Sequence, residues 1–266
     1  MLSGLLSGRG LKQFCSPQGF ALWRIAHHRL QCRQLILQED PIPESSLWFQ
    51  HLDLSEPSLR IAWNNLQIQV LCCHCRRIME SDTCSQSDLD LLVAEFQALI
   101  SSTNNWMSNL AHGWQPKMDR LDHIDSKLQS VWHLLLPLQC RIYYDAWVAY
   151  EVCFHEIGQV MLHETFIDLL RSTICNVSPS SIHIADAMAQ VNTTQTIAQR
   201  LSETVLGILK TQLAGSSAVA TTKLTLFFSL AACWVLQRGK YVSRQQKLLA
   251  TEILHWIRQG YHLPGI

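Results

Sequence analysis

The chain has 266 residues, of which 48% are hydrophobic and 16% are charged, and its 21 basic and 21 acidic residues give a net charge of zero. This hydrophobic content excludes an intrinsically disordered segment, because disordered chains lack the apolar surface that forms a core. Zero net charge argues against autonomous binding to duplex DNA, which depends on neutralising phosphates with a basic face. The low counts of glycine (11) and proline (8) favour long helices over a sandwich with many turns.

Three helices are predicted within the first 112 residues. The pair Ser16-Pro17 is a typical helix start, and apolar residues then recur at helical spacing over residues 17–36. A second helix is predicted for residues 57–78 on the same grounds. The third is predicted for residues 88–110, with a capping box that begins at Ser87.

The second half of the chain is predicted to be helical after an irregular connector at residues 113–138, which docks through Trp114, Trp132 and residues 134–136. The longest predicted helix covers residues 140–171. Further helices are predicted for residues 179–191, 195–213, 224–236 and 243–260, with residues 192–194 as a break between the first two.

These patterns predict an all-α protein, an irregular bundle of about eight to ten helices around a long central buried helix. No strand alternation and no internal repeat is evident. We expect a single domain over residues 1–266, and the connector 113–138 also permits a division into 1–112 and 139–266.

The ten cysteines are expected to be reduced thiols in a protein that is not secreted, since no secretory signal pattern precedes them. The longest apolar run, residues 224–236, has about 13 residues, and a bilayer requires about 20. We therefore interpret this run as a buried helix and expect no membrane association.

Cys72, Cys73, His74 and Cys75 are four consecutive residues of metal-ligating types. Successive residues of a helix point about 100° apart, so four neighbours cannot converge on one ion. A structural zinc site would also need a second ligand pair elsewhere, which the sequence lacks. We interpret the segment as thiols packed inside a helix and expect no metal.

His155, Gln159 and His163 share one face of the central helix. His155 also begins a near match to the zinc-protease motif His-Glu-x-x-His, but Gln159 stands where the second histidine belongs. A two-histidine metal site completed by an outside carboxylate is one interpretation. The one that we adopt is that these polar residues line the solvent edge of a buried helix.

Asp119, Asp122 and Asp125 recur at every third position, and Asp145 follows later in the chain. Helical terpene synthases hold magnesium with clustered carboxylates, but their Asp-Asp-x-x-Asp motif is absent from this sequence. A solvated charged face is the simpler interpretation. The sequence also contains no glycine-rich phosphate loop and no Gly-x-Ser-x-Gly motif, so we expect no cofactor.

Residues 145–164 resemble a segment of the C-terminal regulatory region of fungal zinc-cluster transcription factors. In that family the segment is approximately D-x-W-V-A-x-x-W-N-x-Y-R-x-x-R-I-x-L-H-E, and here it is DAWVAYEVCFHEIGQVMLHE. Weaker similarities to the same region extend over about 250 residues and occur at residues 18–23, 33–37, 183–191, 227–232 and 256–265.

Several residues depart from the family pattern. The Trp-Asn pair is Val152-Cys153, the two helix arginines are Glu156 and Gln159, and a later Trp-Pro pair is Phe228-Ser229. The six-cysteine zinc cluster that reads DNA in this family is also missing from the sequence. The chain is therefore expected to be either a fragment or a shortened protein without the usual DNA-binding module.

The resemblance implies a nuclear or partly cytoplasmic regulator of transcription that acts through protein contacts, typically on a secondary-metabolite gene cluster. Its partner would be a DNA-binding transcription factor or a second copy of the chain, and some members of the family respond to a small-molecule effector. On this hypothesis the chain is not an enzyme and does not contact nucleic acid directly.

Two alternatives remain open. The first is a helical enzyme or ligand-binding protein that acts on an apolar secondary metabolite, with His155, His163 and Glu164 as its convergent polar groups. Its pocket would be lined by four tryptophans, Trp23, Trp63, Trp147 and Trp234. The second alternative is a degenerate relative that has lost its role.

Overall fold

The computed structural model describes residues 4, 8, 10–81, 85–110, 112–121, 139–176, 181–214 and 219–261. In the first half a 3-10 helix, Gly10–Cys15, precedes four α-helices: α1 (Pro17–Leu37), α2 (Ser45–Phe49), α3 (Pro57–Met79) and α4 (Gln86–Ser108). A second 3-10 helix, His112–Trp114, leads to strands β1 (Lys117–Arg120) and β2 (Gln139–Ile142). Four more helices follow: α5 (Ala146–Asn176), α6 (Ser181–Ala214), α7 (Val219–Arg238) and α8 (Arg244–Tyr261). The predicted all-α class is confirmed.

Helix α5 is the long central helix that the sequence predicts. It contacts α1, α3, α4, α6 and α7, and every residue from 151 to 160 is buried. Close approach of α3 depends on Gly158, because a Cβ at this position would stand 2.1 Å from Oδ1 of Asn65. The Asn65 amide instead donates a hydrogen bond of 2.9 Å to the carbonyl of Phe154 and joins the two helices. Described helices from both halves of the chain therefore pack on one element.

Several helix ends follow the predicted capping rules. The Ser16 hydroxyl accepts a hydrogen bond of 3.1 Å from the Gly19 amide, and Pro17 occupies the first helical position of α1. The capping box of α4 was predicted at Ser87 but uses Ser85 with Asp88, because that pair bonds reciprocally through backbone and side chain. This prediction was wrong by two residues.

The start of the central helix was also predicted wrongly. Residues 139–142 form strand β2, which pairs antiparallel with β1 so that Met118 lies opposite Arg141. Helix α5 begins only after Asp145, whose carboxylate accepts a hydrogen bond of 2.7 Å from the amide of Trp147. The strand pair joins residues 117–120 of the predicted connector to the residues that directly follow it, and Trp114 packs against the core. Trp132 and residues 134–136 lie outside the described residues.

The predicted break at residues 192–194 is absent, and α6 runs continuously through it. The hydroxyl groups of Thr193, Thr194 and Thr196 donate to the carbonyls of Ala189, Gln190 and Asn192, at 3.0, 2.8 and 3.0 Å. Because these polar side chains bond within the helix, they do not terminate it. Within the described part of the chain, no helix has both the length and the apolarity to cross a membrane.

Candidate functional site

A cleft of about 320 Å³ opens on one side of the central helix. Its walls come from the end of α4, the 3-10 helix at residues 112–114, strand β2, helix α5 and helix α6. Helix α5 contributes Val152, His155, Glu156 and Gln159, which share one helical face because they are three or four residues apart. The cleft therefore lies against the segment that carries the family resemblance.

Three charged residues meet at the cleft. The Oε1 atom of buried Glu156 lies 3.6 Å from Nε of Arg200 and 3.9 Å from Nη1 of Arg141. Burial raises the pKa of Glu156 to about 7, although both arginines favour its ionised form. Glu156 therefore takes up a proton more readily near neutral pH than an exposed glutamate does.

Arg141 has a second partner outside the cleft centre. Its Nε donates a hydrogen bond of 3.0 Å to Oε2 of Glu203 on α6. The same helix supplies Thr204, whose hydroxyl lies 3.4 Å from Oε2 of Glu156. Strand β2 and helix α6 are thus joined by charges, and this contact holds Arg141 at the edge of the cleft.

Gln159 is the unusual residue of the cleft. Its side chain is 2% exposed, yet neither its amide nitrogen nor its amide oxygen has a hydrogen-bond partner among the described residues. A buried amide that lacks partners costs about 1–3 kcal/mol, so such a group calls for an explanation, and a ligand that bonds to it is one.

His155 lies one helical turn before Gln159. Burial, and to a smaller extent the charge of Arg200, lowers the pKa of His155 to about 4, so its imidazole is neutral near pH 7. Its Nδ1 atom is buried and has no hydrogen-bond partner in the part of the chain that is described. The ring of Trp106 stands edge-on to the imidazole, with centroids 6.2 Å apart. The cleft therefore contains two neutral polar groups that are free to bond to a ligand.

Replacing Gln159 with leucine is expected to raise the free energy of unfolding by about 1 kcal/mol, because the substitution removes an unpaired amide at similar volume. Chemical denaturation measures the change. Gln31→Leu is the control, since Gln31 is equally buried and only its Oε1 lacks a partner among the described residues, while its Nε2 donates a hydrogen bond of 2.8 Å to the carbonyl of Ala62. That variant should lose about 1 kcal/mol. Equal destabilisation by both substitutions would show that Gln159 is satisfied in the free protein.

The structure brings only one of the three proposed catalytic residues, His155, into the cleft. His163 lies about two helical turns after His155 on α5. It is buried, and its Nδ1 lies 2.6 Å from Oε1 of Gln190. Glu164 accepts a hydrogen bond of 3.0 Å from the backbone amide of Tyr241. The interpretation of this stripe as a solvent edge is wrong, because surrounding helices bury His155, Gln159 and His163 alike.

The other candidate ligands are dispersed. Cys72, Cys73 and Cys75 are buried in α3 and His74 is exposed on its other side, which agrees with packed thiols. Among the residues that the structure describes, no three histidine, cysteine or carboxylate groups lie close enough to hold a metal ion.

The aspartate series does not form a helical face. Asp119 lies on β1 and makes an ion pair of 2.8 Å with Lys210, while Asp145 caps α5. Asp122 and Asp125 lie outside the described residues. The Asp119 side chain is 46% exposed, so a solvated charged group describes it even though it pairs with Lys210 of α6.

The four tryptophans proposed for an apolar pocket do not line the cleft. Trp23 is buried and packs edge-on against Trp48 and Phe49. Trp63 and Trp147 are partly buried against Phe49 and Tyr150, and Trp234 lies beneath Arg238. Core packing accounts for Trp23, Trp63 and Trp147.

Arg141, Glu156 and Arg200 were not predicted as site residues. Glu156 and Gln159 stand where the resembled family has two arginines, and that change was the available signal. It was not decisive, because the arginines that occupy the cleft come from β2 and α6, far away in sequence.

Comparison with protein-family models, with curated proteins and with solved structures finds no match to this chain.

Proposed function

We propose that the chain is a regulator of transcription that acts through protein contacts, and that a small molecule bound in the cleft sets its activity. The observation that carries the proposal is the buried, unpaired amide of Gln159, which faces a cleft beside Arg200. Convergent polar groups in a concave site are the general signature of small-molecule binding.

The central position of the cleft supports regulation by a ligand. Helix α5 forms one wall of the cleft and also contacts α1, α3, α4, α6 and α7. A ligand that bonds to α5 and α6 would favour one packing of these helices over another, and a differential affinity of this kind is what an effector requires.

The proposal that the process is transcription comes from the resemblance of residues 145–164 to the regulatory region of fungal zinc-cluster transcription factors. This resemblance implies an all-α domain around a long helix, and the all-α fold is compatible with it. We propose action on a secondary-metabolite gene cluster in the nucleus, through a DNA-binding partner or a second copy. A net charge of zero favours a protein partner over direct contact with DNA.

The experiment is deletion of the gene in its native organism, followed by complementation with the wild-type chain or with Gln159→Leu. Transcripts of neighbouring genes and extracted metabolites are measured together. We expect deletion to change the transcripts, the wild-type chain to restore them, and Gln159→Leu to fail despite normal protein levels. Unchanged transcripts in the deletion strain would refute regulation.

A second candidate, an enzyme that acts on a small metabolite, is favoured by one observation. Glu156 has a pKa near 7 in a cleft that also holds a neutral histidine, and such a carboxyl group is suited to general acid–base chemistry. In the deletion experiment an enzyme would leave transcripts steady, while one metabolite disappears and its precursor accumulates.

A further inference from the structure

The two arginines of the cleft, Arg141 and Arg200, differ in how completely their side chains are paired. Arg141 is hydrogen-bonded to Glu203, so its charge is compensated outside the cleft. Arg200 has an ion pair with Glu156 at 3.6 Å, and its Nε has no hydrogen-bond partner within the described ranges. Its side chain is 41% exposed. Arg200 is therefore the cation with remaining capacity for a ligand.

The remaining lining combines polar and apolar side chains. Gln159 and His155 supply neutral hydrogen-bonding groups next to Arg200, all on α5 and α6. Met107, Trp114 and Pro116 supply apolar side chains, and the polar residues Asn104, Ser108 and Gln115 from the same segments also line the cleft. At about 320 Å³ the space is at the small end of pockets that hold drug-sized molecules.

We propose that the cleft binds a small molecule with a single carboxylate on a flat apolar frame, the carboxylate on Arg200 and the frame against Met107 and Trp114. This inference rests on the proposed function, since it names the class of its effector. One arginine whose Nε has no hydrogen-bond partner among the described residues suits a singly charged group, and guanidinium bonds to a carboxylate through two parallel hydrogen bonds. The apolar side chains of Met107 and Trp114 suit an aromatic or other flat ring system.

Glu156 adds a linked proton to the binding step. A carboxylate placed on Arg200 competes for the charge that favours ionised Glu156, so binding drives Glu156 to its protonated form. Above pH 7, binding of the carboxylate is therefore accompanied by uptake of a proton at Glu156. The affinity of the protein for the carboxylate consequently falls as the pH rises. Among the described residues, the charged and titratable groups that interact with Glu156 are Cys153 on its own helix, Arg141 on β2, Tyr143 just after β2, and Arg200 and Glu203 on α6.

The test is isothermal titration of the full chain with naphthalene-2-carboxylate and indole-3-carboxylate, each compared with its primary amide. We expect the carboxylates to bind at least about tenfold more tightly than the amides. Titration at pH 8 in buffers of different ionisation enthalpy should show proton uptake on binding. Arg200→Gln should weaken carboxylate binding about tenfold or more, and Arg200→Lys should recover part of the loss.

Arg24→Gln is the matched control. Arg24 also pairs with a buried glutamate of α5, since its Nη2 lies 3.4 Å from Oε1 of Glu151, but it does not line the cleft. This variant should bind the carboxylates as the wild type does. Equal affinity for acid and amide, no effect of Arg200→Gln, or no binding of either carboxylate at about 1 mM would overturn the proposed ligand class. None of these results would alter the transcript experiment, which tests regulation separately.

Discussion

Gly207→Ala is expected to lower the free energy of unfolding by about 3 kcal/mol, as overpacking against a rigid neighbour does. A Cβ at position 207 would stand 1.9 Å from the carbonyl oxygen of Arg141 and 2.7 Å from its carbonyl carbon. The obstacle is backbone, so no side-chain rotation relieves it and β2 must move away from α6. Alanine favours a helix over glycine by about 1 kcal/mol, which offsets only part of this cost.

The substitution should also damage the cleft, because β2 carries Arg141. The affinity of the folded protein for the carboxylate should therefore fall together with stability. Chemical denaturation measures the stability, and titration measures the affinity. Gly113→Ala is the control. A Cβ there meets only the Tyr144 ring at 3.4 Å, which is ordinary contact, and stability should change little. Equal stability of the two variants would contradict the close packing of β2 on α6.

Glu151→Gln is expected to raise the free energy of unfolding at pH 9 by about 3–5 kcal/mol and to change it little at pH 5. Glu151 is fully buried, and burial raises its pKa from 4.5 to about 8 even though Arg24 favours the ionised form. Because the folded state holds this proton more tightly than the unfolded chain, the group stabilises the protein below pH 4.5. That contribution is lost as the pH rises through 8.

Denaturation of wild type and variant between pH 5 and 9 measures the difference. Glu95→Gln, which alters an exposed carboxyl group on α4, is the control. Its free energy of unfolding should depend on pH as that of the wild type does. Parallel stability curves for wild type and Glu151→Gln would show that Glu151 ionises in the folded protein as easily as in water.

The buried histidines have the opposite effect on the pH dependence of stability: they make the free energy of unfolding fall as the pH decreases. Burial lowers the pKa of His27 to about 3 and of His155 to about 4, from an ordinary value of 6.5, and it also lowers the pKa of His28 and His163. The unfolded chain therefore binds more protons than the folded one below pH 6.5, and stability falls as the pH decreases. The raised pKa values of the buried glutamates Glu151 and Glu156 lower stability as the pH rises from about 4.5 to 8. The four histidines outweigh them at acid pH and no longer do so above pH 6.5, so we expect maximal stability near pH 6.5.

The sequence alone determined the class of the fold and the identity of its central helix. Helix starts such as Ser16-Pro17 depend on bonds within one turn, so they are visible locally. Burial of α5 was also predictable, because residues 145–164 are apolar on most of their circumference. The error at residues 139–142 arose because β2 pairs with β1, a contact that local rules do not include. The error at residues 192–194 arose because the threonine hydroxyls there bond to carbonyls of their own helix and so do not end it.

Only the tertiary structure decided where the polar residues of α5 lie and what they meet. His155 and Gln159 were predicted to lie at the solvent edge of the helix, yet α4, β2 and α6 cover that face and leave the cleft between them. The pairing of β2 with β1 and the approach of its backbone to Gly207 place Arg141 at the edge of the cleft. Such contacts join residues far apart in the chain, and helical periodicity carries no information about them because it describes one element at a time.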